Sequence, residues 1–163
     1  MKSYCVFGKT QKCQEIAERL EQKLPCQAIY PRRIQHTWSK GKMVDLEHIL
    51  LPGYLFVYVQ DETKLDPARL KYFDGVLKVL AYDDESCELQ GQDAEFARMI
   101  WENGGVLGRL PVYEEGQRLQ IREGPLKGVE SQILKVNRRN HRMLIEIPFA
   151  DTKVKTWVEY EIM

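Results

Sequence analysis

The chain has 163 residues, a length that suits one domain or two small ones. Hydrophobic residues make up 44% and charged residues 29%, ordinary globular values that exclude a disordered chain. Lys and Arg total 24 and Asp and Glu total 24, so binding of nucleic acid by bulk charge is excluded and any such binding has to come from a local patch.

Met1-Lys2 leads into only a few apolar residues before Gly8-Lys9, which reads as no signal peptide. The longest apolar run, Ile49 to Val59, is interrupted by Pro52-Gly53 and falls far short of the roughly 20 residues that span a bilayer. Cys5, Cys13, Cys26 and Cys87 form no C-x-x-C pair, so reduced, buried thiols are expected rather than a disulfide or a metal site. A soluble, cytoplasmic protein is the expectation.

Tyr4 to Phe7 suits a short strand. From Thr10, read as the N-cap, Cys13, Ile16, Ala17, Leu20 and Leu24 recur at helical spacing until Pro25 stops the helix. Alternation around Ile29 and from Ile34 to Trp38 predicts further strand, and Ser39-Lys40-Gly41-Lys42 predicts a hairpin turn. Leu50-Leu51-Pro52-Gly53 leads into Tyr54 to Val59, whose aromatic and branched residues predict a strand. A short helix over Pro67 to Tyr72, a strand over Val76 to Leu80 and a helix over Asp93 to Glu102 follow. Gly104-Gly105 ends that helix, and residues 105–115 lack periodicity and read as a linker. Beyond it, short strands at Leu119–Ile121, Gln132–Val136, Met143–Ile147 and Val154–Val158, spaced by turns, predict a small β-barrel of modest core.

Catalytic patterns fail on inspection. Gly8-Lys9-Thr10 lacks the glycine five residues earlier that a phosphate-binding loop needs, since Ser3 stands there. His36, His48 and His141 lie far apart with no ligand spacing, and Asp83-Asp84-Glu85 reads as a solvated turn. No serine sits in a G-x-S-x-G elbow. No catalytic residue, cofactor or metal is expected.

Two segments carry more information. In Leu51-Pro52-Gly53-Tyr54-Leu55-Phe56-Val57 the glycine allows a sharp turn into a strand. Alternation then sends Tyr54, Phe56 and Tyr58 to one face and Leu55, Val57 and Val59 to the other. Either one face fills the core and the other offers aromatic surface, or both faces are covered. The second segment runs from Gly116 through Gly124-Pro125-Leu126-Lys127-Gly128 to Val136. At its end, residues 135–142 place Lys135, Arg138, Arg139 and Arg142 with His141 on one loop, while residues 111–163 as a whole carry nine Lys and Arg against eight Asp and Glu. The loop is either a solvated turn or a site for a polyanion, with arginine suited to phosphates and base edges. Arg32-Arg33 are candidates to extend the patch.

Together these residues resemble the NusG family of transcription elongation factors. "LLPGYLFV" is similar to the hallmark of its N-terminal (NGN) domain, and the Gly116–Val136 segment is similar to its KOW motif. Tyr4-Cys5-Val6 with "GKTQKCQEIAERL" and the Gly75-Val76 step also fit. Ser131 stands where the KOW motif usually has glycine, and Phe149-Ala150-Asp151 replaces "FGR". These departures resemble the specialised paralogues of the LoaP, RfaH and UpxY group, and the basic KOW loop favours a LoaP-like protein.

The resemblance implies an α+β N-terminal domain, an antiparallel sheet flanked by helices, over residues 1–104, a linker over 105–115, and a KOW β-barrel over 116–163. It implies a non-enzymatic, monomeric elongation or antitermination factor with no membrane partner. Its partners would be the clamp helices of the RNA polymerase β′ subunit and a structured leader RNA, with non-template DNA as a further candidate. By motif, Tyr4, Leu51, Tyr54 and Phe56 fall where the family docks polymerase, and Lys135, Arg138, Arg139, His141 and Arg142 are the candidate nucleic-acid contacts. An RNA-binding KOW module without a polymerase role, and an autoinhibited factor of the RfaH kind recruited by DNA, are the alternatives.

Overall fold

A computed structural model describes residues 1–61, 63–127 and 132–163. In chain order the elements are β1 (Lys2–Phe7), α1 (Cys13–Lys23), β2 (Gln27–Ile29), β3 (Arg32–Ser39), β4 (Lys42–Ile49) and β5 (Tyr54–Val59). There follow α2 (Ala68–Lys71), β6 (Lys78–Val79), α3 (Gly91–Glu102), β7 (Val106–Leu107), β8 (Leu110–Glu115) and β9 (Arg118–Gln120). The chain ends with β10 (Ile133–Asn137), β11 (Arg142–Phe149) and β12 (Thr152–Ile162). These elements fall into two units, one of Met1–Pro31 with Leu51–Gly105 and one of Arg32–Leu50 with Val106–Met163.

The first unit is built on a four-stranded antiparallel sheet of order β2-β5-β1-β6. Leu55, Phe56, Val57 and Tyr58 of the central strand β5 are all fully buried, so both of its faces are covered and no aromatic face is left open. Each such side chain contributes about 1.5–3 kcal/mol of burial. Phe56 meets the Phe96 ring edge-on at 6.0 Å, and the Tyr58 hydroxyl donates to the Ala97 carbonyl at 2.5 Å, which fixes α3 over that face. The helix α1 buries Cys13, Ile16, Ala17 and Leu20, the spacing read from the sequence.

Three local expectations shift. The helix α1 begins at Cys13 with Lys12 at its N-cap rather than Thr10, because Lys12 N–H donates to Lys9 O at 2.8 Å in a preceding turn. The strand at Val76–Leu80 contracts to Lys78–Val79, since only Val6 and Phe7 of β1 pair with it. Cys5 and Cys13 are buried free thiols as expected, whereas Cys26 and Cys87 are only half-buried.

The second unit holds a three-stranded sheet, β4-β3-β7, and a curled five-stranded sheet, β10-β11-β12-β8-β9. Ser39 pairs with Lys42, so the predicted turn at Lys40-Gly41 closes the β3–β4 hairpin. Alternate residues Met143, Ile145, Ile147 and Phe149 of β11 are buried with Val158 and Tyr160 of β12, giving this unit its own core. Residues 105–115, expected as a linker, instead carry β7 and β8: β7 pairs in parallel with β3, and β8 in parallel with β12. The predicted barrel is, among the described residues, an open sheet whose edges are β9 and β10. Gly128 and Ser131, part of the segment that resembles a KOW motif, lie outside the described residues.

Gly104 and Gly105 both adopt positive φ, +67° and +83°, but a Cβ on Gly104 would meet nothing within 4 Å, whereas one on Gly105 would lie 2.6 Å from Ile29 Cγ2. Gly104→Ala should therefore lose only about 1 kcal/mol of backbone strain. Gly105→Ala adds an overlap to that and should lose about 2–4 kcal/mol. Thermal unfolding of the two variants measures the difference.

Candidate functional site

The Leu51-Pro52-Gly53-Tyr54 segment is a tight turn in the first unit. Tyr54 N–H donates to Leu51 O at 3.1 Å, and Gly53 at the third position has φ +87°, the geometry of a type II turn, which favours glycine there. Gly8 N–H donates to Gly53 O at 3.1 Å and Gly53 N–H to the Tyr30 hydroxyl at 3.2 Å, so the turn is fastened to its surroundings. Of the four residues singled out there, Tyr4, Leu51 and Phe56 are buried in the core of this unit and present no surface. Tyr54 is half-buried, and its ring lies 4.7 Å from that of Phe7, its cross-strand partner. Next to Phe7, Leu77 is 65% exposed and donates its N–H to Phe7 O at 2.8 Å. Phe7 and Tyr54 thus set two aromatic rings side by side at an apolar rim, with the exposed Leu77 next to them through this backbone bond and the Lys78 ammonium 5.9 Å from the Phe7 ring centroid.

The basic turn lies in the second unit, between β10 and β11. Two of its cations are neutralised within the unit. Arg138 pairs with Glu114 at 2.7 Å and donates to Gln117 O at 2.7 Å. Arg142 donates to His36 O at 2.9 Å and lies 3.7 Å from Glu159. Lys135, Arg139 and His141 are exposed, with the His141 ring stacked on Tyr160 at 5.4 Å. Arg33 joins this electrostatic neighbourhood: burial lowers its pKa, and the charge of Arg142 lowers it further.

The centre of the unit is a carboxylate that the sequence did not single out. Glu159, 3% exposed, accepts from His36 N–H at 2.5 Å, meets His36 Nδ1 at 2.6 Å and accepts from Arg109 Nε at 3.3 Å. The second ring nitrogen of His36 meets Asp45 at 2.8 Å. Alternation gave no warning, because Val158 and Tyr160 point inward and leave Glu159 on the face a strand normally shows to water. The β3–β4 hairpin covers that face. Beside the cluster is a cavity of about 580 Å³ whose walls include Trp38, Met43, Arg109, Arg139, Arg142 and Glu159. Among the described residues no group of His, Cys, Asp and Glu is placed to hold a metal ion, and no helix is long and apolar enough to cross a membrane.

No protein-family model and no curated protein matches the chain. Its fold is similar to that of a solved structure of NusG from Thermotoga maritima, reported for a domain interaction in that protein. The TM-score is 0.56 at 13% identity, over 97% of this chain and 93% of that one. The fold is therefore NusG-like.

Burial acts to raise the Glu159 pKa, but the hydrogen bonds and charge of His36, with Arg109, outweigh it and hold the carboxyl below its ordinary value of 4.5. A depressed folded-state pKa means that this stabilisation is complete above the unfolded value and is lost as pH falls through the folded one. Glu159→Gln should cost about 1–3 kcal/mol at neutral pH, the range for a charged hydrogen-bonded group whose partners are part-exposed. The gap between variant and native protein should close in acid. Chemical denaturation across that pH range measures both effects, and a gap constant with pH would contradict the assignment.

Proposed function

We propose that the chain is a non-enzymatic transcription elongation factor of the NusG type, acting as a LoaP-like processive antiterminator in the cytoplasm. The observation that carries this reading is the NusG-like fold over nearly the whole chain, joined to a Leu51–Tyr54 turn whose glycine geometry the fold requires. The first unit would bind the clamp helices of RNA polymerase through the apolar rim of Phe7, Tyr54 and Leu77. Tyr4, Leu51 and Phe56 act from behind the rim by holding the strands that present it. A factor that binds the clamp-closed state more tightly than the paused state shifts the population toward elongation, with no chemistry required.

The basic turn between β10 and β11 would receive a structured leader RNA through Lys135, Arg139 and His141, whose side chains are exposed. Arg138 and Arg142 support the turn from within the unit through Glu114, Gln117, His36 and Glu159. The division of labour proposed is polymerase on the N-terminal part and RNA on the C-terminal part, in a monomer.

Tyr54→Asp should abolish co-purification with RNA polymerase, because an unpaired carboxylate in an apolar contact is costly. Its far-UV circular dichroism should stay unchanged, and normal polymerase binding by the folded variant would refute the rim. For RNA, Arg139→Ala and Lys135→Ala should each flatten the slope of log K against log salt by about 0.7–0.9. Arg138→Ala should mainly lower the melting temperature and leave that slope nearly intact. Equal slopes in native protein and both exposed-cation variants would return the loop to a solvated turn.

A further inference from the structure

The tip of the β3–β4 hairpin carries a side-chain pair that its own unit does not cover. Trp38 and Met43 are cross-strand partners, 71% and 52% exposed. A tryptophan left this open at a hairpin tip loses no packing when a flat ring is laid on it and gains stacking area. Both residues form one wall of the cavity beside Glu159, and Arg109, Arg139 and Arg142 contribute to the rest. Its volume, about 580 Å³, is in the range of small-ligand sites.

The polar groups of this cleft favour an anion with hydrogen-bond acceptors. Three arginines line it against the single carboxylate of Glu159, which is already met by His36, Arg109 and Arg142. Asp45, the other acid nearby, is held by His36 Nε2 at 2.8 Å. Arg142 Nε is buried facing Glu159 at 3.7 Å, whereas Arg109 meets Glu159 through Nε and keeps a side chain 41% exposed, so the outer edge of its guanidinium is a donor. Arg139, on the turn between β10 and β11, is exposed and also lines the cleft. An acidic peptide would answer the arginines but would leave the tryptophan bare. A nucleotide answers both, with its base on the aromatic wall and its phosphate among the guanidinium groups.

We propose that this cleft binds one unstacked nucleotide of the RNA, its base against Trp38 and Met43 and its phosphate between Arg139 and Arg109. The proposal deepens the RNA-binding reading above and rests on it. It makes the β3–β4 hairpin, far from the basic turn in sequence, part of the same interface. It also gives a preference for RNA with an unpaired position over a continuous duplex, since only an unstacked base can reach the aromatic wall.

The test measures binding of the full chain to two RNA hairpins that differ only in one unpaired bulged nucleotide, at low and at moderate salt. The native protein should prefer the bulged hairpin. Trp38→Ala should bind it about ten- to a hundredfold more weakly, the range for losing one stacked base, and Trp38→Phe should restore most of the loss. Because Trp38 is exposed, its replacement leaves the fold intact, and unchanged thermal unfolding checks this. Native and Trp38→Ala proteins that bind both hairpins alike would overturn the nucleotide site while leaving RNA binding by the basic turn standing. Failure of the native protein to bind either hairpin would overturn both readings together. A bulged DNA hairpin of the same sequence separates the sources of the nucleotide: tighter, Trp38-dependent binding of DNA would overturn the assignment to RNA. Displacement by oligoglutamate, with no RNA bound in the cleft, would assign it to an acidic protein instead.

Discussion

The carboxylate of Glu159 lies where β12 is covered by the β3–β4 hairpin, and its burial sets a condition that several elements meet at once. An isolated carboxylate removed from water would cost several kcal/mol, so the site persists only because opposite charge and donors converge on it. His36 comes from β3, Arg142 from β11, and Arg109 from the step between β7 and β8. The register of the hairpin follows from this, because the backbone N–H and the ring of a single residue, His36, both reach the same carboxyl. A slip of one residue along β3 would turn the imidazole to the opposite face. Apolar packing in the second unit is non-directional, and the Glu159 cluster supplies the direction.

The same cluster changes how the basic turn is to be understood. Summed along the sequence, Lys135, Arg138, Arg139 and Arg142 form one cationic block. In space the block is divided: Arg138 and Arg142 turn back toward Glu114 and Glu159, and Lys135 and Arg139 face outward. Those two ion pairs tie the turn to β8 and β12 of the same unit. The local field is smaller than a count of residues suggests, but better aimed.

In the first unit the constraint is steric. The type II turn at Leu51–Tyr54 needs a residue at φ +87°, where a Cβ would lie 3.3 Å from the Gly8 carbonyl oxygen, so glycine is favoured. From there β5 enters the middle of the sheet, where neighbours on both edges and cover on both faces demand the branched and aromatic run that the sequence shows. The price of that central position is that Phe56 and Tyr58 serve the core rather than a partner. Only the strand's entrance, Tyr54, stays half-buried, against Phe7.

Much of this was legible in the sequence because it depends on local rules. The period of α1, the alternation of β5, β11 and β12, the Lys40-Gly41 hairpin turn and the Pro52-Gly53 turn follow from helical and strand geometry and from the φ that glycine permits. The family resemblance carried by "LLPGYLFV" agrees with the fold found across the chain. Tertiary structure alone decided the rest. That residues 32–50 pack with 106–163, that the expected linker is drawn into strands β7 and β8, and that Glu159 is buried are results of long-range contact, which no window of sequence contains. Strand alternation states which side chains share a face; it does not state which face another element will cover. For that physical reason Tyr4, Leu51 and Phe56 became core, two of the basic residues became structural, and a glutamate on a seemingly exposed face became the centre of its unit.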